Sequence, residues 1–234
     1  MIIENVPQIL KFSINIDGKS VKILDYVLQE LEPLGYYVNY SVADAADYGT
    51  PQTRKRAIFL ISNIKKWEFP KKMEKITVRD VIGELPSLES GEKSDIPLHY
   101  AKKHAERHVL WMKHTPTGET AFNNEKYYPQ KEDGTRIKGF HNTFKRMVWD
   151  QPCPARTTFS GSMSSHNNVH PGHKLPDGTY SDARVLTLLE TFIVSSIPET
   201  IDFPKDSTDT FIRTVIGEAI PPRLMMEVVN QIGR

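Results

Sequence analysis

The feature that most constrains this chain is a basic, polar loop that runs directly into an apolar strand. The loop is Gln52-Thr-Arg-Lys-Arg56, and the apolar run that follows is Ala57-Ile-Phe-Leu-Ile-Ser62. A short apolar run of this kind predicts a buried strand. The loop then brings two guanidinium groups and an amide to a sheet edge, where they can hold a phosphate or the polar edge of a base. A basic surface loop before a core strand is the simpler interpretation.

Composition sets the broad class of the protein. The chain has 234 residues, 38% hydrophobic and 25% charged, which is typical of a globular protein of about one domain or one and a half. No apolar run approaches the roughly 20 residues of a membrane span, and no secretion signal is visible. The single cysteine excludes an internal disulfide and indicates a reducing compartment. We therefore expect a cytoplasmic protein with no membrane partner and no metal site.

The positive charge is concentrated in the middle of the chain. Net charge is only +1, but residues 101–146 hold 10 Lys and Arg against 5 Asp and Glu. A local basic patch attracts polyphosphate. An ordinary solvated, lysine-rich surface is the alternative.

Hydrophobic periodicity predicts mixed helix and sheet in the first part of the chain. We expect a short buried strand over residues 2–6, a second strand over residues 36–42, and a third at 57–62. Between the first two, a helix face is predicted from the spacing of Val21, Leu24, Leu28 and Leu31. Gly35 is expected to cap the end of that helix.

The remaining residues alternate between loops and short helices. Residues 63–146 are rich in Lys, His, Gly and Asn, with short helices predicted at 78–85 and 101–112. Thr187-Leu-Leu-Glu190 has the form of a capping box at the start of a helix. Two further helices are predicted at 207–216 and 221–232.

Four separated segments together resemble a known family. They are Glu4-Asn-Val6, Gln52-Thr-Arg-Lys-Arg56, and Arg184-Val-Leu-Thr187 followed by Gly217-Glu-Ala-Ile-Pro-Pro222. In this order they resemble the C-terminal part of a DNA cytosine-5-methyltransferase. The resemblance implies an α/β fold: part of a Rossmann-like methyltransferase sheet at 1–64, a small loop-rich target-recognition region at 65–180, and closing helices at 181–234.

The resemblance also implies catalytic roles. In the family, a cysteine thiolate attacks carbon 6 of a flipped cytosine, and carbon 5 then takes the methyl group of S-adenosylmethionine. Glu4 corresponds to the residue that holds ring nitrogen 3, and Arg56 to the one that contacts the base carbonyl, with Arg54 and Gln52 in support. Without the resemblance, Glu4 is a solvated acid. Glu218, Ala219 and Ile220 correspond to one segment of the cofactor site, where the family's Asn is replaced by Glu218.

Double-stranded DNA is the partner that the resemblance implies. The residues that we expect to contact it are Lys102, Lys103, Lys113, Arg156, Thr157, Thr158, Arg184 and Thr187. Arg184 and Thr187 match an element that orders the recognition region, and they also suit a helix cap with a salt-bridging arginine. His104 and His108 lie one helical turn apart but do not form a zinc-protease motif.

Two family motifs are not found in these 234 residues. No two glycines are separated by one residue, so the Phe-x-Gly-x-Gly cofactor turn is absent. Cys153 follows a proline, as the family's nucleophile does, but it comes long after Glu4, and we interpret it as a structural or interface thiol. We therefore expect a chain that is incomplete alone, with a partner chain carrying the N-terminal half or self-association through an open sheet edge. An inactive DNA-binding specificity module or remnant, and a fragment of an RNA cytosine methyltransferase, are the alternatives.

Overall fold

The computed structural model describes residues 1–198 and 200–232, and its centre is a small antiparallel sheet. The strands are β1 Ile2–Asn5, β2 Ser13–Ile16, β3 Lys19–Lys22, β4 Tyr37–Asp44 and β5 Lys55–Ser62. The helices are α1 Ile23–Leu31, α2 Val78–Ile82, α3 Glu106–Lys113, α4 Leu188–Val194, α5 Asp209–Glu218 and α6 Pro222–Ile232. The sheet order is β1-β5-β4, while β2 and β3 form a separate hairpin.

The apolar run identified in the sequence forms β5, the central strand of the sheet. Its alternate residues point to two faces, as the strand geometry requires. Ala57, Phe59 and Ile61 form a cluster against which residues of α1 pack. Ile58 and Leu60 pack on the other face against Leu224 and Val228 of α6. Burial on both faces explains why this strand is continuously apolar instead of alternating.

Two predictions for the first 31 residues are wrong. The helix begins at Ile23, so Val21 lies in β3 and not on the helix face. The hairpin that displaces it turns at Asp17 and Gly18, both with positive φ (49° and 78°), the backbone that tight hairpin turns need. The strand at the N-terminus exists, but it is not buried: Ile3 is 39% exposed, because β1 is an edge strand paired only with β5 among the described residues.

The other expected elements form with small changes of length. Gly35 ends the turn after α1 with a φ of 82°. Residues 78–82 and 106–113 are the helical parts of the two segments predicted between 78 and 112. Thr187 caps α4 as a capping box with Glu190.

Residues 63–187 form few regular elements but contain buried clusters of their own. One cluster joins α2 to Met147, Trp149 and Cys153 and to residues around α4. Another is built on Trp111 and Met112 of α3 with Val169 and Val185. The division into residues 1–64, 65–180 and 181–234 stays a prediction. Within the described residues, no helix is long and apolar enough to cross a membrane.

Candidate functional site

The candidate site lies at one end of the sheet, where β1 and β4 finish and β5 begins. Side chains of Glu4 and Arg56 project from neighbouring strands at this end. Arg56 Nε lies 2.6 Å from Glu4 Oε1, and the two side chains are 17% and 22% exposed. The pair is thus half-buried and still open to solvent.

Arg54 is more deeply buried than the Glu4–Arg56 pair. Its Nη1 donates to the carbonyl of Arg156 at 3.0 Å, and its Nη2 donates to the carbonyl of Gly217 at 2.7 Å. Burial and the charge of Arg56 together lower the pKa of Arg54 to about 10, and the charge of Glu4 opposes the shift. Arg54 remains a cation at neutral pH, and it holds two segments that lie about 60 residues apart in the chain.

Gln52 makes a second set of links from the same loop. Its Nε2 donates to Ser195 Oγ at 2.9 Å, and its Oε1 accepts from the Arg156 backbone N–H at 3.3 Å. The backbone of the neighbouring Thr53 donates to the Cys153 carbonyl at 2.8 Å. Gln52 is buried, so its amide serves the packing of the loop against α4 and the 153–156 segment.

The segment matched to the cofactor site follows directly from α5. Glu218 is exposed at the end of that helix, while Ala219 and Ile220 are half-buried at the turn into α6. A Cβ at Gly217 would overlap the peptide that joins Thr157 to Thr158. Glycine therefore lets the end of α5 lie directly on the 157–158 backbone, next to the Arg156 and Gly217 carbonyls that accept from Arg54.

These residues fit one wall of an S-adenosylmethionine site. The ligand is a cation at sulfur with amine and hydroxyl donors, and the exposed carboxylate of Glu218 is an acceptor that suits such groups. The glycine-rich turn that would bring bare backbone to the ligand is not among the 234 residues.

Three of the predicted DNA contacts are buried. Arg156 binds the carbonyl of Pro154 and the side chain of Asn168, and both Arg184 and Thr187 lie inside the protein. DNA contact by these three stays a prediction, and their buried hydrogen bonds suit residues that hold neighbouring segments together. Lys102, Lys103, Lys113, Thr157 and Thr158 keep partly or fully exposed side chains.

Arg184 is the centre of a buried polar network that the sequence indicated only in part. Its Nη1 and Nη2 donate to the two oxygens of Glu190 at 2.7 and 2.9 Å, and Nη2 also donates to Asp182 at 2.8 Å. His170 lies within 3.9 Å of both carboxylates. Burial would raise the pKa of Asp182 and Glu190, but the nearby cations outweigh it and hold the pKa of both below the usual range.

Arg146 was missed altogether by the sequence reasoning. It is buried, and it donates to backbone carbonyls of Met112, His170 and Asp182. Burial lowers its pKa to about 10. No residue pattern indicates such a role, because its hydrogen-bond acceptors are main-chain atoms from three separate segments.

Cys153 is placed as a core thiol. It has no exposed surface and packs among the apolar residues beside Met147, with its sulfur 3.6 Å from the methionine sulfur. Burial raises the pKa of the thiol, which keeps it protonated and unreactive. Its surroundings agree with a structural role.

Known proteins resemble the chain along its whole length. A type II methyltransferase, M1.HgaI of Avibacterium volantium, is 44% identical over 99% of this chain and 65% of its own. The type II methylase M.HgiDII of Herpetosiphon aurantiacus is 28% identical over 99% of this chain and 63% of its own. The chain thus spans just under two thirds of the length of these curated relatives.

The fold comparison gives the same answer. A solved chain described as a DNA modification methyltransferase encoded within a prophage (E. coli) superposes with a TM-score of 0.60 at 17% identity, covering 99% of this chain and 68% of the other. The likeness confirms the predicted α/β methyltransferase fold. The family model for C-5 cytosine-specific DNA methylase matches residues 1–234. The chain belongs to the C-5 cytosine-specific DNA methylases.

Proposed function

We propose that this chain is the part of a DNA (cytosine-5-)-methyltransferase of a restriction-modification system that holds the target base and orders the recognition region. The complete reaction moves a methyl group from S-adenosylmethionine to carbon 5 of a cytosine flipped out of double-stranded DNA. Membership of the family and the likeness to type II methyltransferases support this proposal.

The observation that carries the proposal is the pair of Glu4 and Arg56 at the end of the sheet. The pair offers a carboxylate and a guanidinium side by side, partly exposed and 2.6 Å apart. In the proposed role, Glu4 hydrogen-bonds ring nitrogen 3 of cytosine and delivers a proton as the ring is attacked. Arg56 donates to the base carbonyl oxygen and positions the Glu4 carboxyl group beside the base.

Arg54 and Gln52 act behind this pair in the proposal. Their hydrogen bonds to Gly217, Arg156 and Ser195 join the base-holding end of the sheet to the turn at 217–220. That turn is proposed as one wall of the S-adenosylmethionine site, with Glu218 as the acceptor for a polar group of the cofactor. S-adenosylmethionine supplies the electrophilic methyl group when it is bound.

A second polypeptide segment is proposed to complete the site. Cys153 is fully buried, so a different cysteine must supply the thiolate. Among the described residues β1 pairs on one side only, and a free strand edge is a surface that proteins usually cover. We propose that a strand from the segment bearing the Pro-Cys and Phe-x-Gly-x-Gly motifs lies along β1.

Reconstitution tests the proposal. These 234 residues are mixed with a polypeptide that carries the part of M1.HgaI that this chain does not match, and transfer of labelled methyl groups to DNA is measured. We expect transfer by the mixture and not by either part alone. Transfer by this chain alone that Cys153→Ser abolishes would contradict the assignment of the thiol.

The Glu4 variant then tests the role of the pair. In the active mixture, Glu4→Gln should lower turnover far more than DNA affinity, because its proton is needed as the ring is attacked. Glu30→Gln, at an exposed position of α1, is the matched control and should change neither quantity. Equal effects of the two variants would leave Glu4 as a solvated acid.

A DNA-binding module without turnover is the second candidate. The burial of the only cysteine favours it, because such a module needs no nucleophile. Sequence-selective DNA binding by the chain, with no methyl transfer in any reconstituted mixture, would support this candidate over the first.

A further inference from the structure

A small basic notch is formed by three segments that lie far apart in the sequence. It is lined by Lys102, Thr158, Phe159, Gly161, Ser162 and Arg213. Its volume is about 150 Å³. That is room for several water molecules or one tetrahedral oxyanion. Lys102 and Thr158 were predicted separately as DNA contacts, and the fold brings them to one place.

The notch carries more positive than negative charge. Arg213 Nε lies 2.8 Å from Asp209 Oδ1, and Lys102 Nζ lies 3.8 Å from the same oxygen. One carboxylate therefore serves two cations. Tyr100 also approaches Asp209, with its hydroxyl 3.5 Å from Oδ2, and adds no charge at neutral pH.

Arg213 is held rigidly and still has an unused donor. It is 1% exposed, and its Nη1 donates to Thr191 at 3.5 Å. Within residues 1–198 and 200–232, its Nη2 has no hydrogen-bond partner. Buried donors of this kind are rare and call for an explanation. The positive charge of this buried guanidinium at the wall of the notch favours an anion there.

His104 lies close to the same two cations, Lys102 and Arg213. The pKa of His104 is lowered to about 4, first by burial and then by the charges of Lys102 and Arg213. Its imidazole is therefore neutral at pH 7. A neutral His104 neither adds to the charge of the notch nor cancels it.

Gly161 lets the backbone of the loop lie close to both cations. A Cβ at this position would be 3.0 Å from Lys102 Nζ and 3.3 Å from Arg213 Cδ. The same loop carries the hydroxyls of Thr158 and Ser162 at the notch. It also carries Phe159, whose side chain is 76% exposed although it is a large aromatic group.

We propose that the notch binds one backbone phosphate of the DNA substrate. Lys102 and Arg213 supply the charge, Thr158 and Ser162 supply hydroxyl donors, and the exposed ring of Phe159 packs against the adjoining sugar. Such a contact sets the position of the duplex and reads no sequence. The inference rests on the proposed function, and it adds Arg213, Ser162 and Phe159 to the expected DNA surface.

The dependence of DNA binding on salt is the direct test. Each neutralised phosphate contributes a slope of about −0.9 to log K against log salt, so Lys102→Ala should reduce the slope by about one contact and weaken binding about tenfold at 0.1 M salt. Phe159→Ala should weaken binding with the slope unchanged, since the ring carries no charge. Lys19→Ala, an exposed lysine of the β2–β3 hairpin, is the matched control and should leave both unchanged.

Arg213→Lys keeps the positive charge but replaces the planar guanidinium with a single ammonium group. Thermal denaturation checks that the variant folds. We expect weaker DNA binding with a nearly normal slope. Suppose that the wild-type chain binds DNA and that Lys102→Ala and Lys19→Ala both have the wild-type salt slope. This result would contradict phosphate binding at the notch and would leave the proposed function unaffected. If the wild-type chain binds no DNA, the DNA-binding part of the proposed function is contradicted, and phosphate binding at the notch is contradicted with it.

Inorganic phosphate distinguishes a DNA phosphate from a free anion. We expect phosphate at millimolar concentration to compete weakly with DNA in the wild type and not in Lys102→Ala. Tight binding of inorganic phosphate that DNA cannot displace would overturn the assignment to DNA. Stronger binding of single-stranded RNA than of duplex DNA, lost in Lys102→Ala, would overturn it in favour of RNA.

Discussion

Arg56 and Arg184 each pair with a glutamate, but in opposite surroundings. Arg184 is fully buried, and it binds both oxygens of Glu190, one oxygen of Asp182 and the carbonyl of Leu88. Arg56 is partly exposed and meets Glu4 through a single contact of 2.6 Å. A buried ion pair must satisfy all its donors, because water cannot. A partly exposed pair can keep capacity for a ligand.

This difference in burial indicates different roles for the two ion pairs. The Arg184 network stabilises the fold, and the Glu4–Arg56 pair is available to a ligand. The Arg184 network joins the backbone at Leu88, the turn at Asp182 and the start of α4, so it holds the loop-rich region to the closing helices. The Glu4–Arg56 pair joins only two neighbouring strands that the sheet already joins. The contribution of this pair to stability is therefore expected to be small. Its expected role is to present a carboxyl group and a guanidinium group to a ligand.

The largest expected effect is that of Arg184→Ala on stability. Removing it leaves two buried carboxylates without their cation, which costs about 3–5 kcal/mol of unfolding free energy. Chemical denaturation measures the loss. Arg79→Ala is the control, because Arg79 also makes a two-pronged contact with a carboxylate, Asp150, but both side chains are exposed. That control should lose far less, because exposed ion pairs are solvated and screened, and equal losses would contradict the comparison.

The pH dependence of stability should come next. Burial lowers the pKa of His170 to about 4, with Arg184 adding to the shift and the carboxylates opposing it. The unfolded imidazole takes up its proton near pH 6.5, so the unfolded state binds more protons between pH 6.5 and 4. Stability is then lost as pH falls through this window, by about 1.4 kcal/mol per pH unit for each such histidine.

Replacing His170 isolates its share of that slope. His104, with a pKa also lowered to about 4, contributes separately. His170→Asn keeps an acceptor for the Gly172 backbone N–H, which donates to His170 Nδ1 at 3.1 Å, and removes the titration. We expect the slope to fall by about one proton between pH 4 and 6.5. His166→Asn, at an exposed position, should leave the slope as it is in the wild type.

A smaller loss is expected where α5 packs on the backbone of residues 157–158. Gly217→Ala places a methyl group against the peptide between Thr157 and Thr158, and crowding of this kind costs about 1–3 kcal/mol. Thr214→Ala, one turn earlier on α5, is the control and should cost less than about 0.5 kcal/mol. Denaturation curves of the two variants compare them. If they are equally stable, the close approach of α5 to residues 157–158 is not tight in solution.

The parts of this structure that were predictable from sequence are local. The capping box of Thr187 and Glu190 involves residues three apart, and the run that became β5 has a clear apolar signal. The hairpin was missed although Asp17-Gly18 is a recognised turn pair, because Val21 also continued the helical spacing. One residue can satisfy both periodicities at a boundary, and only pairing with β2 decides between them.

The partners of the site residues could not be found in this way. Gln52 and Arg54 were identified by motif, but their acceptors are Ser195 and the carbonyls of Arg156 and Gly217, more than 100 residues away. Every residue has a main-chain carbonyl, so no pattern of residue types predicts which carbonyl accepts the hydrogen bond. The basic notch shows the same limit, since Lys102 and Thr158 were predicted without any indication that Arg213 lies between their segments.

The smallest expected effect completes the comparison between the two ion pairs. A double-mutant cycle of Glu4→Gln and Arg56→Ala should give a coupling energy of about 0.2–1 kcal/mol in unfolding experiments, because both groups remain partly hydrated. The coupling should shrink further at high salt, since screening weakens a half-exposed pair. The same pair of variants should nevertheless lower methyl transfer strongly in the reconstituted mixture. A coupling of several kcal/mol, insensitive to salt, would place Glu4 and Arg56 with Arg184 as a structural pair, and it would remove the main support for their catalytic role.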